Sequence, residues 1–230
     1  MSWANVVKGT PYPGTSGEST INKDRIGSLP DYGQGRQRAK SAATRGALIA
    51  TARALFTKSG YHQTNTTELV EMASVTRGAL YHHFADKKDL FEAVFRQVFD
   101  EVQKRTNAAA AAQPGDLWDK TVAATVSNLQ IRADDLEAQR ILMVEGPAVL
   151  GWERWRALQE GVLEDFTGTI RKLMDQGRIA QGPARALAGQ IIAALVDAAL
   201  SIAHSDDHST ELETQREAFL ALFEGLQTKA

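Results

Sequence analysis

The sequence predicts an all-α protein of about nine helices. From Ser41 onward, apolar residues recur every three or four positions, which is the spacing of a helix with one buried face. Glycine, proline and helix-capping residues interrupt these segments where helix ends are expected. The sequence contains no strand-type alternation of useful length.

The composition indicates a globular protein and excludes several kinds of site. Its 43% hydrophobic and 23% charged residues are ordinary values for a globular chain. The absence of cysteine excludes a disulfide framework, a thiolate metal site and a cysteine nucleophile. No apolar run approaches the ~18 residues of a membrane span, and the polar N-terminus lacks the apolar segment of a signal peptide. We therefore expect a cytoplasmic protein without a membrane partner.

The net charge of −2 conceals an uneven distribution along the chain. Residues 36–105 contain 12 Lys or Arg and 7 Asp or Glu, whereas residues 106–230 contain 11 and 18. A basic segment beside an acidic one indicates that only the first meets a polyanion. Ordinary scatter of surface charge is the alternative, and the counts alone do not decide between the two.

The first part of the chain is predicted to contain a tail and four helices. Residues 1–40 are rich in Gly and Pro and show no periodicity, so we expect a disordered tail with a basic end. Gly60 is placed to end the first helix in a left-handed conformation. The next three helices begin at the capping residues Asn65, Thr76 and Asp86, and a Glu three positions after Asn65 completes a capping-box pattern.

The remainder of the chain is also predicted to be helical, with boundaries set by Gly and Pro. Two of these boundaries are Gly146-Pro147 and Gly177. The predicted helices are one that begins at Asp116 and others at about 134–144, 152–176, 183–204 and 210–226.

Two short helices joined by a tight turn form the motif that points to a function. The first runs from Thr66 to about Ala73, and the second from Arg77 to about His83. Such a pair places its second helix in the major groove of DNA. The residues expected to face outward are Thr76, Arg77, Gly78, Tyr81 and His82. Their polar groups can reach phosphates and base edges. A helical hairpin without a DNA partner is the alternative.

Residues 44 to about 95 resemble the DNA-binding domain of the tetracycline-repressor (TetR) family. The segment Thr76-Arg-Gly-Ala-Leu-Tyr-His-His-Phe-Ala-Asp-Lys-Lys-Asp-Leu-Phe91 is close to that family's recognition-helix signature. The match extends upstream through Leu55-Phe56, Gly60-Tyr61 and Thr64. Val70 departs from the usual alanine and Ser74 from the usual turn glycine.

The resemblance implies a ligand-responsive repressor that binds a palindromic operator as a homodimer. It assigns a helix-turn-helix DNA-binding domain to residues 41–86 and a larger helical regulatory and dimerisation domain to residues 87–230. The family's DNA contacts map here onto Asn65, Thr67, Thr76, Arg77, Gly78, Tyr81, His82 and Lys87. Arg77 is the best candidate for reading a guanine, and Tyr81 and Lys87 are expected to hold the phosphate backbone. An activator is the alternative, because the same DNA-binding domain serves either outcome.

A basic segment, Arg36-Gln-Arg38-Ala-Lys40, precedes the first predicted helix. As an arm it would enter the minor groove and raise affinity mainly through counterion release. A solvated run of charge is the alternative.

The regulatory domain is expected to bind a small, largely apolar effector in a pocket between its helices. The candidate pocket residues are Phe95, Phe99, Trp118, Met143, Trp152, Trp155 and Phe166. Aromatic residues at helical spacing also serve as plain core, and that alternative stays open. Glu145 and Asp197 are acidic residues among apolar ones, so each can orient a polar or cationic ligand group, or can instead be solvated or paired.

The last two predicted helices, 183–204 and 210–226, are the expected dimer elements. Small residues make the first helix smooth enough for close packing. An apolar stripe on the second consists of Leu212, Phe219, Leu222, Phe223 and Leu226. A core formed within one chain is the alternative.

No motif in the sequence assigns a catalytic residue, a cofactor or a metal site. A Gly-rich phosphate loop, a nucleophile elbow and a zinc-protease motif are all missing from the sequence. His204 and His208, with two Asp residues between them, are the one arrangement that suggests a metal, and they are predicted to lie in a polar loop. A helical sensor that acts without DNA is the remaining rival, and it predicts that Arg77 and Tyr81 are dispensable.

Overall fold

The structure, a computed structural model, describes residues 32–228 of the chain. Over this range the chain is helical and contains no strand, only an isolated bridge between Ile179 and Gln227. The predicted all-α fold is therefore confirmed. The helices are α1 (Tyr32–Ser59), α2 (Thr66–Met72), α3 (Arg77–His83), α4 (Lys87–Ala112), α5 (Leu117–Asp134), α6 (Leu136–Ala138), α7 (Gly146–Leu150), α8 (Trp152–Leu158), α9 (Glu160–Asp175), α10 (Ala184–His204) and α11 (His208–Leu226), with a π-helical segment, Gln139–Glu145, between α6 and α7.

Within the described residues, the chain divides after Ala39, and residues 40–228 belong to the larger of the two units. The predicted domains 41–86 and 87–230 both lie within the larger unit, and the division between them stays a prediction. The tail predicted over residues 1–40 falls largely on residues 1–31, which lie outside the described residues.

Helix α1 begins at Tyr32 rather than at about Ser41, so the prediction of a non-helical segment is wrong for residues 32–40. The predicted arm from Arg36 to Lys40 is part of this helix. The helical pattern was missed because residues 35–40 are all exposed and therefore carry no apolar stripe. Arg, Gln, Ala and Lys are nevertheless good helix formers, and their propensity supports a helix here.

The predicted helix-turn-helix is present in α2 and α3. The Oδ1 atom of Asn65 accepts from the amide of Glu68 at 2.7 Å, which is the Asn65 half of the predicted capping box. The hydroxyl of Thr76 accepts from the amide of Ala79 at 3.1 Å and so begins α3. As predicted, Gly60 ends α1, with a φ of 86°.

The turn between α2 and α3 places Ser74 in a left-handed conformation with a φ of 53°. The amides on either side are satisfied, since Ser74 donates to the carbonyl of Glu71 at 3.1 Å and Val75 donates to that of Val70 at 3.0 Å. A residue with a Cβ is strained by about 1–2 kcal/mol in this conformation. The replacement of the usual glycine by serine is therefore a local strain in this chain.

The larger helical part is built around α5, which packs against α4, α9 and α10, and α9 and α10 also pack against each other. Its interior is largely apolar and includes Phe91, Phe95, Leu129, Ile170 and Leu173. Helix α11 completes it, and Phe223 on α11 meets Trp118 on α5 edge-on, with the ring centroids 5.7 Å apart.

Two predicted helix boundaries are wrong. The helix expected to end at Gly146-Pro147 continues into α7, because Pro147 lies in the first turn of α7, where the missing amide loses no helical hydrogen bond. The helix expected over 152–176 is two helices, with a break at Gln159. The side chain of Gln159 donates to the carbonyl of Trp155 at 3.1 Å at this break. Apolar periodicity continues across the break and concealed it.

Gly146 follows the π-helical segment and lies against two aromatic rings. A Cβ at this position would lie 2.9 Å from Cε2 of Phe95, closer than real Cβ atoms come, and 3.0 Å from Cδ1 of Trp155, which is also tight. The indole of Trp155 also donates to the carbonyl of Leu142, at 2.9 Å. The π-helical segment is therefore packed tightly between α4 and α8.

Helix α10 is long and apolar enough to cross a membrane by length and composition, contrary to our expectation from the sequence. Such a helix is weak evidence, because the core helix of a globular protein passes the same test. Here α10 packs against α5, α9 and α11, with Ile191, Leu195 and Ile202 buried. It is therefore a central packing element of the fold.

Candidate nucleic-acid interface and effector cavity

The outer surface of α2 and α3 carries most of the candidate DNA-contact residues. Seven of the eight are exposed: Asn65, Thr67, Thr76, Arg77, Gly78, Tyr81 and His82. The inner surface of the same helices is held by Leu69 and Leu80, both buried. A fixed inner face thus presents hydroxyl, guanidinium, phenol and imidazole groups on one outer face, as a helix that enters the major groove requires. Which of them contact DNA stays a prediction.

Gly78 has no steric reason within the protein to be glycine. A Cβ built there would meet only the hydroxyl oxygen of Thr76, at the ordinary contact distance of 3.8 Å. The fold would therefore accept a side chain on this exposed turn of α3. Glycine at this point leaves space for a body that approaches from outside, and a DNA backbone fits that description.

Arg77 and Tyr81 lie one helical turn apart and form a pair on the exposed face of α3. The guanidinium carbon of Arg77 lies 5.8 Å from the centroid of the Tyr81 ring. Arg77, and after it the hydroxyl of Thr66, hold the pKa of the Tyr81 phenol below its usual value. The pair therefore places a cation and a polarised phenol side by side, which suits recognition of a phosphate or a base edge.

Lys87, expected to hold a phosphate, is engaged within the protein. Its ammonium donates to the carbonyls of Tyr61 at 2.8 Å and Thr64 at 2.9 Å, and lies 4.2 Å from the centroid of the Tyr61 ring. Desolvation by burial lowers the pKa of this amine. Two of its three donors close the loop before α2, which leaves one for DNA. Lys88, the next residue, is exposed.

An ion-pair cluster joins α1 to the helices beyond the helix-turn-helix. Arg53 on α1 donates to Glu101 on α4 at 2.6 Å and to Glu137 on α6 at 2.5 Å. The hydroxyl of Thr57 also donates to Glu137, at 3.0 Å. These hydrogen bonds, with Glu137 first and Glu101 second, raise the pKa of Arg53. The cluster fixes the position of α1 on α4 and α6.

A second link connects the loop before α2 to the π-helical segment. The amide of Tyr61 donates to both carboxylate oxygens of Glu145, at 2.9 and 3.0 Å. Arg140 lies 3.6 Å from the same carboxylate and donates to the carbonyl of Thr57 at 3.0 Å. Sequence reasoning left Glu145 undecided between a ligand contact, a solvated acid and a paired acid. The structure supports the paired alternative, because the carboxylate lies beside Arg140 and accepts hydrogen bonds from a backbone amide.

A cavity of about 640 Å³ lies among α4, α5, α8, α9 and α10. Its volume is in the range of small-molecule binding sites. Of the seven aromatic and methionine candidates, Phe95, Phe99 and Phe166 line it. The structure places the other four outside the lining: Trp118 packs on Phe223, Met143 and Trp155 are buried in the core, and Trp152 lies exposed over Trp155. Asp197 lies outside the lining as well.

One wall of this cavity is polar, which sequence reasoning missed. The buried polar residues that line it are Thr106, Thr121, Thr125, Asn128 and Arg132. Four of them lie on α5 and recur at helical spacing, so that the stripe facing the core contains hydroxyl, amide and guanidinium groups. Polar residues on the inward stripe of a helix were the available signal.

The residues considered for a metal site do not form one. No group of three or more His, Asp or Glu placed to hold a metal occurs within residues 32–228. The Nδ1 atom of His204 lies 2.7 Å from the carbonyl oxygen of Leu200, and the Nε2 atom of His208 lies 3.2 Å from a carboxylate oxygen of Asp134. The two histidines thus have separate partners.

Comparisons with known proteins agree with this geometry. The profile described as "Bacterial regulatory proteins, tetR family" matches residues 48–94, and "Tetracyclin repressor-like, C-terminal domain" matches residues 118–226. A solved TetR-family transcriptional regulator from Pectobacterium atrosepticum is 36% identical, with 84% of this chain and 98% of that chain covered and a TM-score of 0.71.

Further relatives extend the likeness. The HTH-type transcriptional repressor BepR of Brucella suis is 29% identical over 171 residues, which cover 70% of this chain and 80% of the relative. A structure from Shewanella, 23% identical with a TM-score of 0.65 over 81% of this chain and 99% of that one, shares the fold. Both parts of the chain match the family, and a relative above 30% identity is covered almost completely. The chain belongs to the TetR family of transcriptional regulators.

Proposed function

We propose that this regulator is a cytoplasmic repressor that binds a palindromic operator as a homodimer and leaves it when a small effector fills the cavity. The observation that carries the proposal is the outward face of α3, where Arg77, Gly78 and Tyr81 are exposed on a buried base. The relative BepR, a repressor by name, supports repression over activation.

In this proposal, α3 enters the major groove. Arg77 reads a base, Tyr81 holds a phosphate, and Gly78 allows the backbone to approach. Asn65, Thr67, Thr76 and His82 contribute neighbouring contacts from the same exposed face, and Lys87 contributes its third donor.

Dimerisation is assigned to α10 and α11. Only about a third of the apolar stretch of α10 is buried within the chain, so much of this helix remains available to a partner. Its outer face carries small residues at helical spacing, among them Ala186 and Ala193, and α11 adds the exposed Leu222. Phe219 and Phe223, expected in the dimer stripe, are instead buried within the chain. A smooth apolar face flanked by an exposed leucine suits close packing of two copies.

The effector acts through a difference in affinity. A ligand shifts the protein away from DNA only if it binds the DNA-incompetent state more tightly. The cavity is well placed for this, because Phe95 lines it and also touches Gly146, which is adjacent to the link from Glu145 to Tyr61.

A fluorescence-anisotropy titration against the DNA that flanks the coding sequence tests the proposal. Saturable binding should survive scrambled competitor at physiological salt and disappear in the double variant Arg77→Ala, Tyr81→Ala. The control is Arg171→Ala, which removes an exposed arginine from α9 and should leave binding unchanged. Binding that is weak, non-selective and equally affected by both changes would contradict operator recognition and favour a sensor that acts without DNA.

A further inference from the structure

Arg132 on α5 is buried and lines the cavity. Its Nε atom donates to the amide oxygen of Asn128 at 2.8 Å, and the amide nitrogen of Asn128 donates to the hydroxyl of Thr106 at 2.8 Å. This chain of bonds fixes the guanidinium at its inner edge. Within residues 32–228, no group accepts a hydrogen bond from the two terminal nitrogens, Nη1 and Nη2, and no carboxylate forms an ion pair with Arg132.

The unpaired edge of the guanidinium is open rather than sealed in the core. Within residues 32–228, no non-exposed residue has a fully buried side-chain nitrogen or oxygen without a partner, so Nη1 and Nη2 reach open space, and the cavity is open space that Arg132 lines. Burial alone lowers the pKa of Arg132 to about 10, which leaves it protonated at neutral pH. A buried cation without a counter-charge is unfavourable, and a bound anion relieves that cost.

The other lining residues indicate what kind of molecule can bind beside Arg132. Phe95, Phe99 and Phe166 supply apolar lining to the same cavity as the polar stripe of α5. Four cationic residues and two acidic ones line the cavity, and both acids, Asp100 and Asp165, are exposed at its rim. A site with one buried cation and an apolar wall fits a molecule with one negative charge and an apolar body.

We infer that the effector is a small amphipathic carboxylate whose head binds the Nη edge of Arg132 and whose apolar body packs against Phe95, Phe99 and Phe166. The planar guanidinium fork matches a carboxylate in a bidentate pair. A phosphomonoester, with a charge of about −1.5 to −2, carries more charge than Arg132 alone balances, and the other cationic lining residues are exposed or only half-buried. The inference rests on the proposed function only in treating this cavity as the effector site.

Two matched ligand series provide the test. 4-Phenylbutyrate, 4-phenylbutanol and 4-phenylbutylamine share an apolar body and differ in head charge, and octanoate, octanol and octylamine repeat the comparison with an alkyl body. Isothermal titration calorimetry with the full chain, without DNA, should rank carboxylate above alcohol above amine in at least one series. Loss of a hydrogen-bonded charge pair predicts a preference of carboxylate over alcohol of about tenfold or more. A preference for the alcohol or the amine in both series, or no carboxylate binding at millimolar concentration, overturns the inference.

The variant Arg132→Met removes the charge at similar length and should abolish the preference for carboxylate over alcohol. Because it also removes an uncompensated buried charge, the ligand-free variant should unfold at the same or a higher temperature than the wild type. A lower melting temperature with an unchanged ligand preference would show that Arg132 is structural and would overturn the inference. The control Arg96→Met removes an exposed rim charge, which is paired with Glu92 at 2.9 Å, and should change carboxylate affinity by less than about fivefold.

A separate readout distinguishes this inference from the proposed function. Release of operator DNA by the carboxylate is measured by anisotropy, whereas carboxylate binding is measured without DNA. Binding that depends on Arg132 but releases no DNA supports the inference and counts against the proposed regulation. DNA release by a neutral or cationic compound, with no carboxylate preference in either series, supports the regulation and overturns the inference.

Discussion

Ser74 holds a left-handed backbone conformation at the turn of the helix-turn-helix, where glycine would be free of strain. We expect Ser74→Gly to raise the free energy of unfolding by about 0.5–1 kcal/mol. The relief of about 1–2 kcal/mol is partly offset by the greater freedom of glycine in the unfolded chain. Urea denaturation checks this. Ser74→Ala keeps the Cβ and should not raise the free energy of unfolding. An equal increase from both changes would contradict the proposal that the backbone of Ser74 is strained.

A substitution at Gly78 should change stability and DNA affinity in opposite directions, because the fold has room for a side chain there. We expect Gly78→Ala to raise the free energy of unfolding by up to about 1 kcal/mol, since alanine favours a helix over glycine. Operator affinity should fall by about tenfold or more, equivalent to ~1.4 kcal/mol, because the methyl group occupies space that the DNA backbone needs.

The control for Gly78→Ala is Gly168→Ala on α9. A Cβ there meets nothing within 4 Å, so the gain in stability should be similar and operator affinity should be unchanged. If Gly78→Ala binds the operator as tightly as the wild type, the backbone at this point does not approach DNA.

At the scale of elements, Glu145 joins the loop before α2 to the π-helical segment. We expect Glu145→Ala to lower the free energy of unfolding by about 1–3 kcal/mol, because the amide of Tyr61 loses its acceptor. The same change should reduce the loss of operator affinity that an effector causes. Thermal denaturation and anisotropy with and without effector check the two effects. Glu153→Ala, at an exposed position on α8, should change neither.

The first turns of α1 carry exposed positive charge that is expected to meet DNA. We expect the double variant Arg38→Gln, Lys40→Gln to make the salt dependence of operator binding less steep, by about 0.9 in the log–log slope for each phosphate that the variant no longer neutralises. Anisotropy over a salt series measures the slope. The matched control Arg171→Gln, Lys172→Gln removes exposed charges from α9 and should leave it unchanged. An equal slope in the wild type and both variants would contradict the hypothesis that this segment contacts DNA.

The sequence predicted the elements whose ends are marked by side-chain chemistry. Asn65, Thr76 and Asp86 each cap the helix that they were expected to begin, and Gly60 ends α1. The failures occur where such marks are missing or ambiguous. The start of α1 has no buried face, and Pro147 can begin a helix as well as end one.

At the scale of the whole molecule, α10 and α11 are expected to hold two copies together. We expect the wild type to sediment as a dimer, and Ala193→Arg with Leu222→Arg to shift it to monomer, because two buried charges would have no partners. Analytical ultracentrifugation measures the mass, and circular dichroism confirms that the variant is folded. Glu213→Arg, nine residues from Leu222 and therefore on the opposite side of α11, should remain dimeric. A monomeric wild type would contradict this assignment.

The exposed face of α2 and α3 could be predicted from the sequence, whereas the lining of the cavity could be predicted only in part. The polar and apolar sides of α2 and α3 follow from local spacing, so the seven exposed candidates could be named in advance. The cavity depends on how distant helices meet. Phe95 and Phe166 line it, but Trp118 and Trp155, with similar spacing, are core. Arg132 could not be assigned to it, since a lone arginine on a helix is usually solvated.

Gly146 contacts a residue of the cavity wall, and its neighbour Glu145 holds the loop before the DNA-binding helices. The Phe95 ring packs against Gly146, and the carboxylate of Glu145 accepts a hydrogen bond from the amide of Tyr61. Because protein interiors are close-packed, a displacement of one of these residues is transmitted to the next. In the proposed regulation, a ligand that displaces the ring would act across one peptide bond rather than along a helix. The stiffness of this short connection would then set how much of the ligand's binding energy changes the affinity for the operator.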